Sequence, residues 1–295
     1  MKALLAEYAV FHDPHLAPEG AAMLGVLRQS FERCGYEVIS PEGADFRDEI
    51  RRIAPECDFG LIIAPDHLLS GFTAVIERLT HNLGCGSMNV AVCANKRQTA
   101  RILAGNGIPV PEEVEHGARV IKPVTGCGSI GVRLDGGHAG EGEFGQRFIE
   151  GEHLSVSLVG SRVVGDACLY YSGKPPLVLA LNHQEISIDS AGRFSYQGGT
   201  TPVDHERSDE IIEVAKKAVN ILGCQGYTGV DIVLADRPYV VDVNPRITTS
   251  IVGIAACMRE EIADILVRAS KGDAPESVHF NCRARYDSSG RVFFE

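Results

Sequence analysis

The chain of 295 residues is 44% hydrophobic and 23% charged, enough apolar material for a sizeable core and the wrong composition for a disordered or low-complexity protein. Against 28 lysines and arginines stand 39 aspartates and glutamates, a net charge of −11 that repels polyanions and anionic bilayers and so argues against nucleic-acid and membrane partners. Nine cysteines without a C-x-x-C pair fit reduced thiols, and neither the apolar run before Glu7 nor the one over residues 251–258 suits a signal peptide or a membrane span, so the expected location is the cytoplasm.

In chain order, residues 2–6 read as a buried strand and residues 19–34 as a helix with Leu24, Leu27 and Phe31 on its apolar face, stopped by Gly35. Strands are expected over 36–39, 58–64 and 90–93, with a helix over 73–83. This β-α-β alternation predicts a small parallel α/β domain over residues 1–93. A central unit, 94–145, follows: a helix over 96–103, then strands over 118–123 and 130–134 flanking Thr125-Gly126-Cys127-Gly128-Ser129 as a hairpin-like unit. The third unit, 146–270, opens with residues 146–149 and a strand over 153–159. Its clearest element is a helix over 208–222, with Ile211, Ala215, Ala218, Val219 and Leu222 as the core stripe and Gly223 as the stop. Strands over 229–234 and 239–244 come next, and the tail 271–295 carries no usable pattern.

The last two strands hold the most chemistry. If residues 235–238 form the loop and Leu234 pairs with Tyr239, Asp231 faces Asp242, and Asn244 lies on the same face two residues on. Opposed carboxylates destabilise a sheet unless something compensates, and a hard divalent cation does so through oxygen ligands. Asp231, Asp242 and Asn244 are therefore candidate metal ligands; a shifted register with one aspartate in solvent also fits the spacing. Residues 126–131 form a glycine-rich loop whose N–H groups can cradle phosphates, although no Lys-Ser or Lys-Thr follows it as in a Walker A loop, and a tight turn would look the same. Lys122, four residues before Gly126 on an otherwise apolar strand, is a costly place for an idle cation. Lys96 fits either a phosphate contact or a solvated first helical turn. Arg246, just after Asn244-Pro245, can stabilise a migrating phosphoryl group and an oxyanion. Thr248, Thr249 and Ser250 suit a substrate carboxylate or a plain helix cap.

Taken in order, Asn95-Lys96, Gly107-Ile108-Pro109-Val110-Pro111, Val120-Ile121-Lys122-Pro123 with its glycine loop, Gln146-Arg147-Phe148-Ile149-Glu150-Gly151-Glu152-His153, Gly229-Val230-Asp231 and Val241-Asp242-Val243-Asn244-Pro245-Arg246 resemble the ATP-grasp superfamily. The resemblance implies a mixed α/β fold with an N-terminal parallel α/β domain, and MgATP or MnATP as cofactor. By it Lys96 and Lys122 contact phosphates, Gly126, Gly128 and Ser129 cover them, residues 146–149 (Gln146, Arg147, Phe148, Ile149) hold adenine, and His153 takes the ribose position where the family usually has glutamate. Asp242 likewise stands where glutamate is commoner. The implied reaction activates a carboxylate as an acyl phosphate and passes it to an amine, with Lys122 and Arg246 as the catalytic cations and small molecules as partners; a homodimer is compatible with this. Ala6-Glu7-Tyr8-Ala9, Glu19-Gly20-Ala21-Ala22-Met23-Leu24 and Ala64-Pro65-Asp66 look like the tyramine-glutamate ligases of methanofuran biosynthesis. That narrower likeness implies glutamate and tyramine as substrates, with Tyr8 and Phe11 supplying part of an apolar slot for the amine. A ligase for another amino acid, or an ATP-binding sensor without turnover, is the alternative.

Overall fold

The computed structural model describes residues 1–43, 45–126, 128–135, 137–161 and 174–294. Strands β1 (Lys2–Glu7), β2 (Glu37–Ile39), β3 (Phe59–Ile63) and β4 (His81–Asn82) form a parallel sheet in the order β2-β1-β3-β4. Successive side chains of a strand point to opposite faces, and here both faces are covered. Leu4, Ala6 and Ile62 enter one core, while Leu5, Leu61 and Ile63 enter another. Helices α1 (Ala9–His12), α2 (Ala17–Arg33), α3 (Phe46–Ile53), α4 (Asp66–Leu79) and α5 (Ser87–Ala94) flank this sheet.

Residues 90–93, expected as a strand, belong to α5. Val-Ala-Val-Cys is apolar throughout, and a run this short suits a buried strand or a buried helix equally. The helix buries Val90 and Cys93, one turn apart, and the fourth strand is instead the two-residue β4. Helix α4 also begins seven residues earlier than the helix expected from residue 73, which places Asp66 in its first turn.

Helix α6 (Lys96–Gly105) follows directly, with the Asn95 side chain accepting the Gln98 N–H at 2.9 Å as its N-cap. A three-stranded antiparallel sheet comes next: β5 (Arg119–Pro123), β6 (Arg133–Leu134) and β7 (Glu143–Arg147), in the order β6-β5-β7. The strand expected over 130–134 shrinks to β6 because residues 128–131 form a turn in which Ser129 has φ +60°.

The third sheet has seven strands in the order β12-β11-β8-β9-β10-β13-β14, all neighbours antiparallel. These are β8 (Glu152–Gly160), β9 (Leu177–Ile188), β10 (Phe194–Thr201), β11 (Gly226–Leu234), β12 (Pro238–Asn244), β13 (Ala284–Asp287) and β14 (Val292–Phe294). Helix α7 (Ser208–Leu222) buries the five expected stripe residues against Leu154, Val156 and Val230, and ends at Gly223 in the left-handed region (φ +64°). Helices α8 (Ile251–Cys257) and α9 (Ile262–Ser270) pack on the other face. Strands β9, β10, β13 and β14 occupy stretches in which the sequence suggested no element. Among the described residues no helix is long and apolar enough to cross a membrane, and the seven described cysteines are free; Cys127 and Cys168 lie outside the described residues.

Candidate active site

Between the three-stranded and seven-stranded sheets lies a cavity of about 230 Å³, lined by Lys96, Lys122, Gly126, Gly128, Ser129, residues 146–149, His153, Asp231, Asp242, Asn244 and Arg246, with Gly131 of the glycine loop outside the lining. Its floor is the β11–β12 hairpin. The expected pair is present, Asp231 opposite Asp242, but the register leading to it differs. Leu234 pairs with Pro238 and Ile232 with Val240, so the loop has three residues and Val241 is an unpaired bulge that restores the facing aspartates. The bulge has a use: the Val241 carbonyl accepts a hydrogen bond from the Lys122 ammonium at 2.7 Å. Lys122 enters from β5, 8% exposed, with its ammonium 5.4 Å from the centroid of Phe144.

The carboxylates are held unequally. Asp231 accepts from Gln184 at 2.9 Å and from Asn244 at 3.1 Å, both neutral amides. Asp242 is in contact with the Lys96 ammonium and accepts the Val243 N–H at 3.0 Å. Burial, and then the charge of Asp242, push the Asp231 carboxyl up to about 6. Burial works the same way on Asp242, but Lys96 and Lys122 outweigh it and hold that carboxyl below the usual range. Burial also drives the Lys122 ammonium down to about 8, with Asp242 pulling against the fall and Lys96 adding to it. Lys96, by contrast, is raised: burial opposes its charge, but Asp242 and Asp66 more than offset it. The position open to a solvated first-turn lysine is thus a buried ion pair.

Asp66 is one of the residues that sequence spacing does not point to. It is 5% exposed at the start of α4, with Lys96 3.6 Å from one carboxylate oxygen and Arg246 3.3 Å from the other. Its signal was Ala64-Pro65-Asp66, a strand end running into a helix start, where a carboxylate meets whatever the following sheets present. Arg246 also donates to the Ile247 carbonyl at 3.1 Å. The hydroxyls of Thr248 and Ser250 do not act as plain caps: with Ser157 they surround the Tyr227 hydroxyl at 2.9–3.0 Å, while Thr249 donates to Glu19 of α2.

At the opposite end, Gln146 on β7 donates to the Pro111 carbonyl at 2.8 Å, and Arg147, Phe148 and Ile149 continue the wall. His153 is half-buried, and burial together with neighbouring His183 keeps its imidazole below the ordinary value. Gly126, Gly128 and Ser129 line the cavity from above; Cys127 of that loop is outside the described residues. Tyr8 and Phe11 do not reach the cavity. Tyr8 stacks on His12 at 4.3 Å and meets Phe46 edge-on, and Phe11 is 54% exposed. The aromatic lining comes from Phe148, Phe194, Tyr196 and Tyr286.

Among the described residues no three His, Cys, Asp or Glu side chains converge as a metal cluster. Asp231, Asp242 and Asn244 still fit a hard divalent cation, since all three offer oxygen and the cation would offset both the burial and the Asp242 charge that drive the Asp231 carboxyl upward.

Two lysines aimed under a glycine turn, with two aspartates and an arginine across from them, suit an enzyme that handles a nucleoside triphosphate and an activated carboxylate. The ATP-grasp domain family matches residues 93–250, and the chain belongs to that family as an ADP-forming carbon–nitrogen ligase. It is 30% identical to the tyramine–L-glutamate ligase of Methanocaldococcus fervens over 92% of this chain and 94% of that one. A crystal structure from Archaeoglobus fulgidus, assigned to the ATP-grasp superfamily, superposes with a TM-score of 0.78 at 28% identity, covering 97% of this chain and 92% of its own. The ATP complex of D-alanine–D-alanine ligase from Bacillus anthracis, at 15% identity, shares the fold with a TM-score of 0.67 over 92% of this chain and 97% of its own.

Proposed function

We propose that this ligase joins the γ-carboxyl group of glutamate to the amine of tyramine, giving γ-glutamyltyramine, ADP and phosphate, as in methanofuran assembly. The supporting observation is the 30% identity to a tyramine–L-glutamate ligase over nearly the whole of both chains. In this reading a γ-carboxylate oxygen attacks the terminal phosphorus of ATP and ADP leaves. The amine nitrogen then attacks the acyl phosphate carbon, phosphate leaves, and the nitrogen gives up a proton.

Within the cavity, Lys122 and Lys96 neutralise phosphate charge, and the N–H groups at Gly126, Gly128 and Ser129 approach the same oxygens. Gln146, Arg147, Phe148 and Ile149 hold the base, and His153 the ribose. Arg246, oriented by Asp66, faces the oxyanion of the tetrahedral intermediate. A divalent cation on Asp231, Asp242 and Asn244 would supply Lewis-acid charge to the phosphates. Lys96 is the counter-ion of Asp242, and its ammonium turns toward phosphate when that carboxylate finds another partner.

The test incubates purified protein with MgATP, glutamate and tyramine and seeks γ-glutamyltyramine by mass, with ADP release requiring both substrates. Aspartate in place of glutamate should be slower by roughly a hundredfold, because one missing methylene moves the reacting carboxylate out of line. Absence of the product, where another carboxylate and amine do release ADP, would remove this substrate pair and leave the ligase.

A further inference from the structure

The substrate end of the cavity, away from the adenine side, takes its wall from three elements far apart in sequence: Glu19 on α2, Tyr196 on β10 and Tyr286 on β13. The C-terminal hairpin is seated for this. Gly290 in its turn sits so close to α2 that a Cβ there would fall 2.3 Å from the Ala22 Cβ, one helical turn from Glu19. Tyr286 pairs with Gly199 in the ladder. Its ring fits only because its neighbours are small: a Cβ at Gly199 would lie 2.8 Å from the Tyr286 hydroxyl, and one at Gly253 2.8 Å from the ring.

For all that packing, the hydroxyl is left over. Tyr286 is 1% exposed, and its oxygen, buried, makes no hydrogen bond among the described residues. The hydroxyls of Tyr196 and Ser250 interact with the phenol, but neither makes a hydrogen bond of full geometry to it. An unpaired buried hydroxyl costs stability, so its retention calls for a partner that arrives from elsewhere. Glu19 has a matching peculiarity. One of its oxygens takes the Thr249 hydroxyl, and among the described residues no lysine, arginine or histidine pairs with it. The nearby cations are engaged: Lys96 with Asp242 and Asp66, Arg246 with Asp66, and Lys122 with the Val241 carbonyl.

A carboxylate without a cation, a hydroxyl without a partner and tyrosine rings beside them complement a group with several N–H donors and a positive charge. We propose that Glu19, Tyr196 and Tyr286 form an ammonium subsite that holds the primary ammonium of an amine-bearing substrate, with Tyr286 as a specificity-determining residue supplied by the C-terminal hairpin. The proposal rests on the amine-ligase reading, and both substrates proposed above carry such a group.

The test compares full-length wild type with Tyr286→Phe and Glu19→Gln, measuring KM for glutamate, tyramine and ATP together with the melting temperature. Each variant should raise KM for one ammonium-bearing substrate about tenfold or more and leave the KM for ATP in place. Tyr286→Phe should melt no lower than wild type, since only an unpaired hydroxyl is lost. Glutarate, which keeps both carboxyls of glutamate and lacks the ammonium, tells the two sources apart. If glutamate's ammonium sits here, the variants and wild type share one KM for glutarate; if tyramine's does, the rise follows tyramine with either donor. Should wild type fail to join glutamate and tyramine, that substrate pair is lost, and the same variants are read by ADP release on the amine and carboxylate a substrate panel identifies. An unchanged KM for every ammonium-bearing substrate in both variants overturns the subsite.

Discussion

Asp66→Asn isolates one charge on which two cations depend. Removing one partner of a buried ion pair costs about 3–5 kcal/mol, because the other charge stays buried and uncompensated. Two features of this site reduce that figure. Lys96 keeps Asp242 as a second carboxylate, and asparagine still presents a carbonyl oxygen to the Arg246 Nε, which lies 3.3 Å from the native carboxylate. The remaining loss falls mainly on Arg246 and comes to about 2 kcal/mol. At roughly 2–4 °C per kcal/mol for domains somewhat smaller than this chain, the ligand-free protein should melt about 5 °C lower. Turnover should fall as well, since Arg246 loses the anchor that orients it. Differential scanning calorimetry and ATP-dependent ADP release on the same preparation read both effects. A melting temperature within about 1 °C of wild type, together with full turnover, would refute the assignment of Asp66 as the counter-ion of Arg246.

Asp231→Asn should raise the melting temperature of the ligand-free protein by relieving the charge opposed to Asp242, while ADP release falls about a hundredfold; a lower melting temperature would contradict the opposed-charge account. Lys122→Met should weaken nucleotide binding about tenfold or more in calorimetry without lowering the melting temperature, because a buried ammonium held at about 8 is itself a burden on the fold. The Arg133–Glu143 clamp beside the glycine loop should be sensitive to acid. Hydrogen bonds from Arg133, then the Gly140 N–H, hold the Glu143 carboxyl down to about 2 from an ordinary 4.5. Its contribution is therefore complete above pH 4.5 and is lost as pH falls toward 2, so the protection of the Arg133 and Leu134 amides, taken relative to their intrinsic exchange rates, should fall in that window, and that fall should be absent in Glu143→Gln.

The parallel sheet, α7 and the acidic hairpin were legible because each rests on a local pattern: a continuous apolar run, a 3.6-residue stripe ending at Gly223, two strands around a polar turn. The errors fall where local pattern is silent. Residues 90–93 are apolar on all sides, so nothing in them distinguishes α5 from a strand. The Asp231–Asp242 pairing came out correctly from a four-residue loop that does not exist, because the shorter turn and the Val241 bulge offset one another. Asp66, Glu19, Gln184 and Tyr286 could not be found by spacing, since each comes from a different element, the last three lining the cavity and Asp66 pairing with the Lys96 and Arg246 that line it, and each gains its meaning from residues tens to hundreds of positions away. Tyr286 lay in a tail that looked featureless because β13 is four residues long and depends for its existence on pairing with β10.

The Val241 bulge also makes a single-residue deletion informative in a way no substitution is. Excising Val241 leaves Val240 opposite Ile232 and Asp242 opposite Asp231 in an unbroken ladder with the same three-residue turn, so both carboxylates stay on their face. What vanishes is the carbonyl that receives the Lys122 ammonium. The hairpin therefore offers a mechanical separation of two roles that lie side by side in the cavity: the acidic pair persists as a register property, while the lysine loses its resting place and every charged side chain in the site is kept.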